Sequence, residues 1–232
     1  MKATKVDCTQ CSNKDKSIFC ELEEKSLQSI SDQKIMNTYK KGQVLFHEGN
    51  PAFGVYCISS GKIKLTKMSE SGKEIIISIS GPGDIVGSQH IVKAGLNDVT
   101  ATALEETKIC FIDREFMNKT VKEEPSCAME LVSHLTNDAL KMHDRMAHFS
   151  HKNVRERVAY LLVDLGRSYG SETPQGIRLG IQLSREDMAG MLGIASETLI
   201  RELSILKEEG VIEQDGKTII LLKKKELESL IS

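Results

Sequence analysis

The sequence has 232 residues, of which 40% are hydrophobic and 28% charged, and its formal net charge is −2. These values are typical of a soluble globular protein with one large or two small domains, and they exclude a strongly basic protein that binds nucleic acid through charge alone. The sequence has no apolar run of about 18 residues and no secretory signal pattern, so we predict a cytoplasmic protein without a membrane partner.

Cysteines are the first notable feature along the chain. Cys8 and Cys11 are separated by two residues, the spacing of thiolate ligands, and Cys20 follows. The sequence holds six cysteines, and structural disulfides are rare in the cytoplasm. The N-terminal segment is therefore a candidate metal site; the alternative is a degenerate arm with exposed cysteines.

Residues 39–115 consist of short β-rich runs separated by glycines. The clearest runs cover residues 54–61, 62–66, 74–80 and 108–112. Short strands with glycine turns predict an antiparallel barrel or roll.

Pro125 precedes a stripe of apolar residues with alternating spacings of four and three. This is a coiled-coil signal, and it predicts a dimer seam on one long helix. The alternative is a helix that packs on its own domain. The predicted seam consists of Val132, Leu135, Ala139, Met142, Met146 and Phe149, with Ala128 preceding them.

Two short helical segments flank a turn at Gly193. Ser184 and Asp187 form a capping-box-like start for the first segment, and Gly210 ends the second. Two helices joined by a short glycine turn predict a helix-turn-helix motif, whose second helix enters the major groove of DNA. Residues 168–176, upstream of this motif, are predicted to be a polar loop.

Two β-rich runs around Asp215 and Gly216 follow the second helix, and an Asp-Gly pair is a strong hairpin signal. A helix-turn-helix followed directly by a hairpin is a winged helix. No glycine-rich phosphate loop, nucleophile elbow or metal-hydrolase histidine pair appears, so we predict that the chain is not an enzyme.

These motifs resemble those of the CRP/FNR transcription regulators. The resemblance rests on segments in both halves, among them Phe46-His-Glu-Gly49, Pro82-Gly-Asp-Ile-Val-Gly87, Leu183-Ser-Arg-Glu-Asp-Met-Ala189 and Ser196-Glu-Thr-Leu-Ile-Arg201. It implies an α+β fold: an N-terminal antiparallel β-roll of the cyclic-nucleotide-binding type, a long dimerisation helix and a C-terminal winged helix-turn-helix. The expected boundaries are a cysteine-containing arm at 1–24, the roll at 25–120, the helix at 121–150 and the DNA-binding domain at 151–232.

The resemblance also implies a homodimer that binds a palindromic operator on double-stranded DNA and contacts RNA polymerase. Positions matching Glu197 and Arg201 read bases in the family, and the geometry suits them, because Arg can bind guanine and Glu can accept from cytosine. An ordinary ion pair between these two side chains is the alternative. The other expected DNA contacts are Arg185, Ser196, Ile200 and Lys217. A second candidate function is a cyclic-nucleotide-type binding protein without DNA function.

The chain departs from the cyclic-AMP receptor at the positions that would hold the nucleotide. Ser88 stands where the receptor has a glutamate, Asn97 and Asp98 fall at its Arg-Ser pair, and Met142 and His143 at its Thr-Ser pair. A carboxylate at the phosphate position would repel the ligand. We therefore expect an effector other than cyclic AMP.

FNR-like members hold an iron–sulfur cluster on N-terminal cysteines and one distant cysteine. The resemblance makes Cys8, Cys11, Cys20 and Cys110 candidate ligands, although Ser17 occupies the family's third N-terminal position. Cys57 and Cys127 are interpreted as core residues. Haem is a third option, and its candidate axial ligands are His47, His90, His134, His143, His148 and His151.

Overall fold

A computed structural model describes residues 7–69, 72 and 74–231, with the side chains of 147–151 outside the description. The chain divides into two compact units, Met1–Leu140 and Lys141–Ser232. Within the described residues, no helix has both the length and the apolar character that crossing a membrane requires.

The first unit is an antiparallel β-roll with helices, as predicted. Its elements are α1 (Glu24–Gln33), β1 (Ile35–Tyr39), β2 (Val44–Phe46), β3 (Gly54–Ser60), β4 (Ile63–Met68), β5 (Glu74–Ser80), β6 (Ile85–Val86), β7 (Thr100–Ala103), β8 (Thr107–Asp113), α2 (Arg114–Glu123) and α3 (Pro125–His151), which continues into the second unit. One sheet has the strand order β1-β8-β3-β6 and the other β2-β7-β4-β5.

Strands β3 and β8 separate two apolar clusters, because successive side chains of a strand point to opposite faces. Ile58 and Ile109 belong to one cluster, together with Phe46 and Val99. The other cluster lies under α1 and the start of α3. Its members include Val55, Ile112, Leu27, Ile30, Cys127 and Leu131, with Cys8 and Cys57 packed against it.

A glycine is required where β3 meets β4. Gly61 has φ +83°, and a Cβ atom there would lie 2.5 Å from the carbonyl oxygen of Glu106. Both the left-handed backbone and the close approach exclude other residues. The turn from β3 to β4 therefore lies directly against the segment that enters β8.

Helix α3 buries only one side in the first unit. Cys127 and Leu131 are 0% and 4% exposed, whereas Val132 and Leu135 are 55% and 38% exposed. Ala139 is also exposed. The predicted seam residues of this unit therefore do not pack on their own roll.

The second unit is a winged helix-turn-helix, as predicted. Its elements are α4 (Val154–Tyr169), β9 (Gly170–Thr173), β10 (Gly176–Leu179), α5 (Arg185–Leu192), α6 (Ser196–Glu208), β11 (Ile212–Asp215), β12 (Thr218–Leu221) and α7 (Lys224–Leu230). The four strands form a sheet with the order β11-β12-β10-β9.

The predicted polar loop at 168–176 is wrong. Tyr169 still belongs to α4, and β9 and β10 form a hairpin that extends the sheet of the wing. Strand β9 is mostly exposed and carries polar side chains. It therefore lacks the apolar alternation by which a strand is recognised in a sequence.

Helix α5 begins with the predicted capping box. Ser184 Oγ accepts a hydrogen bond from the backbone N–H of Asp187 at 2.9 Å, and Asp187 Oδ2 accepts from the N–H of Ser184 at 3.2 Å. Both bonds satisfy N–H groups that the first turn of a helix leaves unpaired. The start of the DNA-binding motif is thus set by two local side chains.

We expect Ser184→Ala to lower the free energy of unfolding of the second unit by about 0.5–2 kcal/mol, because it removes the helix cap. Urea denaturation followed by circular dichroism measures the change. Ser171→Ala, on the exposed strand β9, is the matched control and should stay within about 0.5 kcal/mol of wild type. Equal losses in both variants would contradict the capping role.

Candidate functional site

Helix α6 presents a buried face and an exposed face. Glu197, Ile200 and Arg201 lie on the exposed face, and Ile200 is 48% exposed. Such a helix can lay its exposed face in a groove while the other face is held by the domain core. The buried face is formed by Leu199, Leu203 and Leu206.

The turn before α6 leaves the start of that helix open. Gly193 has φ 62°, and its N–H donates to carbonyl oxygens in the last turn of α5. Ala195 precedes α6 without a side-chain cap. The first N–H groups of α6 are therefore available to an anion such as a DNA phosphate.

The wing is tied to both helices of the motif. Arg185 Nη2 donates to Gln214 Oε1 at 2.8 Å and to the carbonyl oxygen of Gly216 at 3.3 Å. Gln214 Nε2 in turn donates to the carbonyl oxygen of Leu203 at 2.9 Å. Arg185, predicted as a DNA contact, is thus held against the wing and fixes the position of its turn.

The remaining predicted DNA contacts differ in exposure. Lys217, beside the wing turn, is exposed, and Ser196 is half-buried. Among the described residues, no ion pair joins Glu197 to Arg201. Both side chains are therefore directed to solvent rather than to each other.

Four cysteines of the first unit line one cavity of about 50 Å³: Cys8, Cys11, Cys57 and Cys110. Apolar side chains, including Phe19, Leu27 and Ile112, complete its walls. Cys57 is interpreted from the sequence as a core residue only. The structure brings it together with three of the four predicted ligands.

A positive charge and two thiols of raised pKa adjoin this cavity. Lys34 is 5% exposed, and its Nζ donates to Cys8 Sγ at 3.0 Å. Burial, together with the nearby Cys110, Cys8 and Cys11 thiols, raises the pKa of Cys57 well above its ordinary value. Burial likewise raises the pKa of Cys110. Without a metal, these two thiols therefore stay protonated at neutral pH.

Cys20, the other predicted ligand, lies elsewhere. It lines a separate polar cavity together with Asp84, Glu130 and His134. Cys127 is fully buried in the apolar cluster under α1, as predicted. In the described part of the chain, no group of three or more His, Cys, Asp or Glu side chains is already arranged to hold a single metal ion.

The cavity of the four cysteines has no histidine among its lining residues. His47 and His143 are exposed, and His90 and His134 are half-buried. The side chains of three further predicted residues, His148, Phe149 and His151, lie outside the described residues.

Two family descriptions match the chain, one in each half. Residues 36–124 match the cyclic nucleotide-binding domain, and residues 156–230 match the Crp-like helix-turn-helix domain. Together the two matches span more than half of the chain, in the order that the resemblance implies.

Whole-chain comparisons give the same result. A CRP-like cAMP-activated global transcriptional regulator of Mycobacterium tuberculosis is 26% identical over 204 residues, covering 88% of this chain and 91% of the relative. An anaerobic regulatory protein of Pasteurella multocida is 29% identical over 219 residues, covering 93% and 79%. The structure of FixK2 from Bradyrhizobium japonicum has a TM-score of 0.76 at 24% identity, covering 86% and 98%.

The chain belongs to the CRP/FNR family of transcription regulators. These relatives are transcription regulators rather than enzymes, and this regulator carries its own helix-turn-helix domain. The alternative of a nucleotide-binding protein without DNA function is therefore not retained.

The roll contains three of the residues at which the sequence departs from the cyclic-AMP receptor: Ser88, Asn97 and Asp98. Ser88 and Asn97 are buried, at 4% and 6% exposed. The Asp98 carboxylate accepts from Gln89 Nε2 at 2.9 Å and lies 3.9 Å from His90 Nε2. Asn97 and the Asp98 carboxylate thus stand where the resemblance places an Arg-Ser pair, and neither can supply the arginine that binds a phosphate.

Sequence reasoning missed three parts of these sites: Cys57, Lys34 and Gln214. Cys57 follows Val55 by two residues on β3, so the two side chains occupy the same face of the strand. Nothing local indicates that this face meets the N-terminal arm. The contacts of Gln214 join segments that are distant in the sequence, so no spacing pattern could reveal them.

Proposed function

We propose that the regulator binds a palindromic operator as a homodimer. We further propose that it is cytoplasmic and contacts RNA polymerase at the operator. The exposed apolar seam on α3 supports the dimer: Val132, Leu135, Met142 and Met146 are 38–67% exposed. A second copy of the same helix would cover these side chains in a coiled coil. A two-fold protein matches a two-fold operator.

Within each half-site, we assign direct base reading to Glu197 and Arg201, and an apolar contact with a thymine methyl group to Ile200. All three are exposed on one face of α6. Arg201 can donate two hydrogen bonds to one guanine, and Glu197 can accept from a cytosine amino group.

Other groups supply contacts to phosphates. Lys217 on the wing and the uncapped N-terminus of α6, near Ser196, suit phosphate oxygens. Arg185 acts mainly through the wing that it holds. With a net charge of −2, non-specific affinity should be weak, so base contacts and dimerisation carry most of the discrimination.

The signal that the roll receives is proposed to be something other than cyclic AMP. Asp98 and Ser88, in place of the residues that hold phosphate and ribose, support this proposal. Relatives differ in their signals, since one is named as cAMP-activated and another as an anaerobic regulator.

An iron–sulfur cluster held by thiolates is the signal receiver that fits the first unit best. Its donor set, four cysteines on one mostly apolar cavity beside a buried lysine, agrees with the thiolate ligation of such clusters. When bound, the cluster supplies sensitivity to oxidants. The chain's own cysteines would supply its ligands, and the apolar walls of the cavity would exclude water from it.

Selection from a library of randomised duplexes with the full-length protein tests the proposed function. We expect enrichment of an inverted repeat whose half-site centres lie about 34 Å apart, one turn of DNA. Enrichment of no sequence, or of a single unrepeated half-site, would contradict the proposal. The observation that supports the proposed function most strongly is the exposed face of α6, which carries Glu197, Ile200 and Arg201 within an intact winged helix. We call this surface the reading face.

A further inference from the structure

The outer face of the roll carries two cysteines side by side. Cys57 of β3 and Cys110 of β8 are direct partners in the antiparallel register. Val55 and Ile112, two positions away on the same strands, belong to the apolar cluster under α1. The two thiols therefore point out of the roll toward that helix, and the sheet fixes their separation.

The N-terminal arm lies over this pair through specific contacts. Asn13 Nδ2 donates to the carbonyl oxygen of Ser59 on β3 at 2.7 Å. The backbone N–H of Cys8 donates to Ser31 Oγ on α1 at 3.3 Å. These contacts bring Cys8 and Cys11 to the cavity that Cys57 and Cys110 line.

A further contact fixes the arm at the turn before β6. A Cβ atom on Gly83 would lie 2.9 Å from the Cβ of Lys16, so only glycine lets the arm approach this closely. The same turn lies on the edge of the cavity, since Gly83 is one of its lining residues. The arm therefore contacts the first unit at both ends of this segment, at Cys8 through α1 and at Lys16 through Gly83.

Cys20 is not among the residues that line the cavity of Cys8, Cys11, Cys57 and Cys110. It lines the separate polar cavity together with Glu130 and Asn137. Its place in the polar cavity beside Glu130 separates it from the set that could act together.

The charge balance favours the set that includes Cys57. Thiolate ligands add negative charge to a mostly apolar cavity, and such charge is costly to bury without a compensating partner. Lys34 supplies a positive charge in direct contact with Cys8 Sγ, at 3.0 Å. Hydrogen bonds to ligand sulfur atoms also tune a bound cluster.

We propose that the regulator binds its cluster through Cys8, Cys11, Cys57 and Cys110, with Cys57 in the role that the family resemblance gives to a third arm cysteine, and without Cys20. This inference rests on the proposed iron–sulfur sensor. Two ligands belong to the arm and two to a rigid strand pair.

The test compares full-length wild type with Cys57→Ser and with Cys20→Ser as the matched control. Each protein is purified without oxygen and reconstituted with Fe²⁺ and sulfide. Bound iron, acid-labile sulfide and visible absorbance are then measured. We expect Cys20→Ser to equal wild type, and Cys57→Ser to bind at least about tenfold more weakly, since even partners that only orient ligands are worth about 10–100-fold.

Two results would overturn the assignment while the cluster stands: Cys57→Ser loaded as fully as wild type, or Cys20→Ser depleted of iron. Wild type that takes up no iron would overturn the cluster and the assignment together. The duplex selection is independent of both, so it still tests the DNA-binding proposal.

A folding defect is recognised by the melting temperatures of the metal-free proteins, which should agree between wild type and Cys57→Ser. If Cys57→Ser does not fold, Cys57→Ala replaces it, because alanine leaves no unpaired hydroxyl group beside the apolar cluster. The same iron loading is then measured on Cys57→Ala. Loading of Cys57→Ala as full as that of wild type would overturn the role of Cys57 as a ligand.

Discussion

Replacing both Val132 and Leu135 by lysine is expected to convert the dimer into monomers and to weaken operator binding about 10²–10⁴-fold. Both side chains are exposed, at 55% and 38%, on the seam face of α3. Lysines there would oppose lysines of the second copy and remove the apolar contact. Each recognition helix would then bind its half-site alone, without the gain that comes from linking two binding events.

Sedimentation velocity and operator titration measure the two effects. Asn137→Lys is the control, because it adds a lysine to an exposed position of the same helix outside the seam. It should remain dimeric and bind DNA as wild type does. A double variant that stays dimeric, or a monomer that binds the operator with full affinity, would contradict the proposed seam.

Replacing Arg201 by alanine is expected to cost about 1–3 kcal/mol of specific DNA binding per half-site, which is about 5- to 150-fold in affinity. The exposed guanidinium makes no ion pair with Glu197 among the described residues. Loss of the guanidinium therefore removes the proposed DNA contact and disturbs no ion pair with Glu197. Preference for one base of each half-site should relax.

Titration of the selected operator and of duplexes with single base changes measures this effect. Arg167→Ala is the control: the lost side chain is also an exposed arginine, but it lies on α4, where it pairs with Glu228 at 3.0 Å. Unchanged affinity and unchanged base preference in Arg201→Ala would remove this residue from the reading face.

Lys217→Ala should instead weaken binding to all sequences alike, with a lower salt dependence.

The winged helix could be predicted from the sequence because its signals are local. Ser184 and Asp187 cap α5, Gly193 takes the left-handed conformation at the turn, and the glycine of the Asp215-Gly216 pair does the same between β11 and β12. Each signal acts within a few residues, so tertiary contacts do not override it. The exposed hairpin β9–β10 offered no such signal.

The cysteine site could be predicted only in part. The spacing of Cys8 and Cys11 is local, and Cys110 was found through the family resemblance. Cys57 joins them because β3 pairs with β8, a long-range pairing that no sequence spacing encodes. The position of Cys20 beside Glu130 is likewise a tertiary feature. Arg185 shows the same limit, since its partners Gln214 and Gly216 lie across the wing.

The central claim is that two symmetry-related copies of α6 read one operator together. The most direct test is the mass of the complex that the full-length protein forms with its selected duplex, measured by native mass spectrometry beside a duplex that keeps only one half-site. We predict two chains on the full operator and a large loss of affinity on the half-site duplex. One chain per operator, or equal affinity for both duplexes, would contradict the claim.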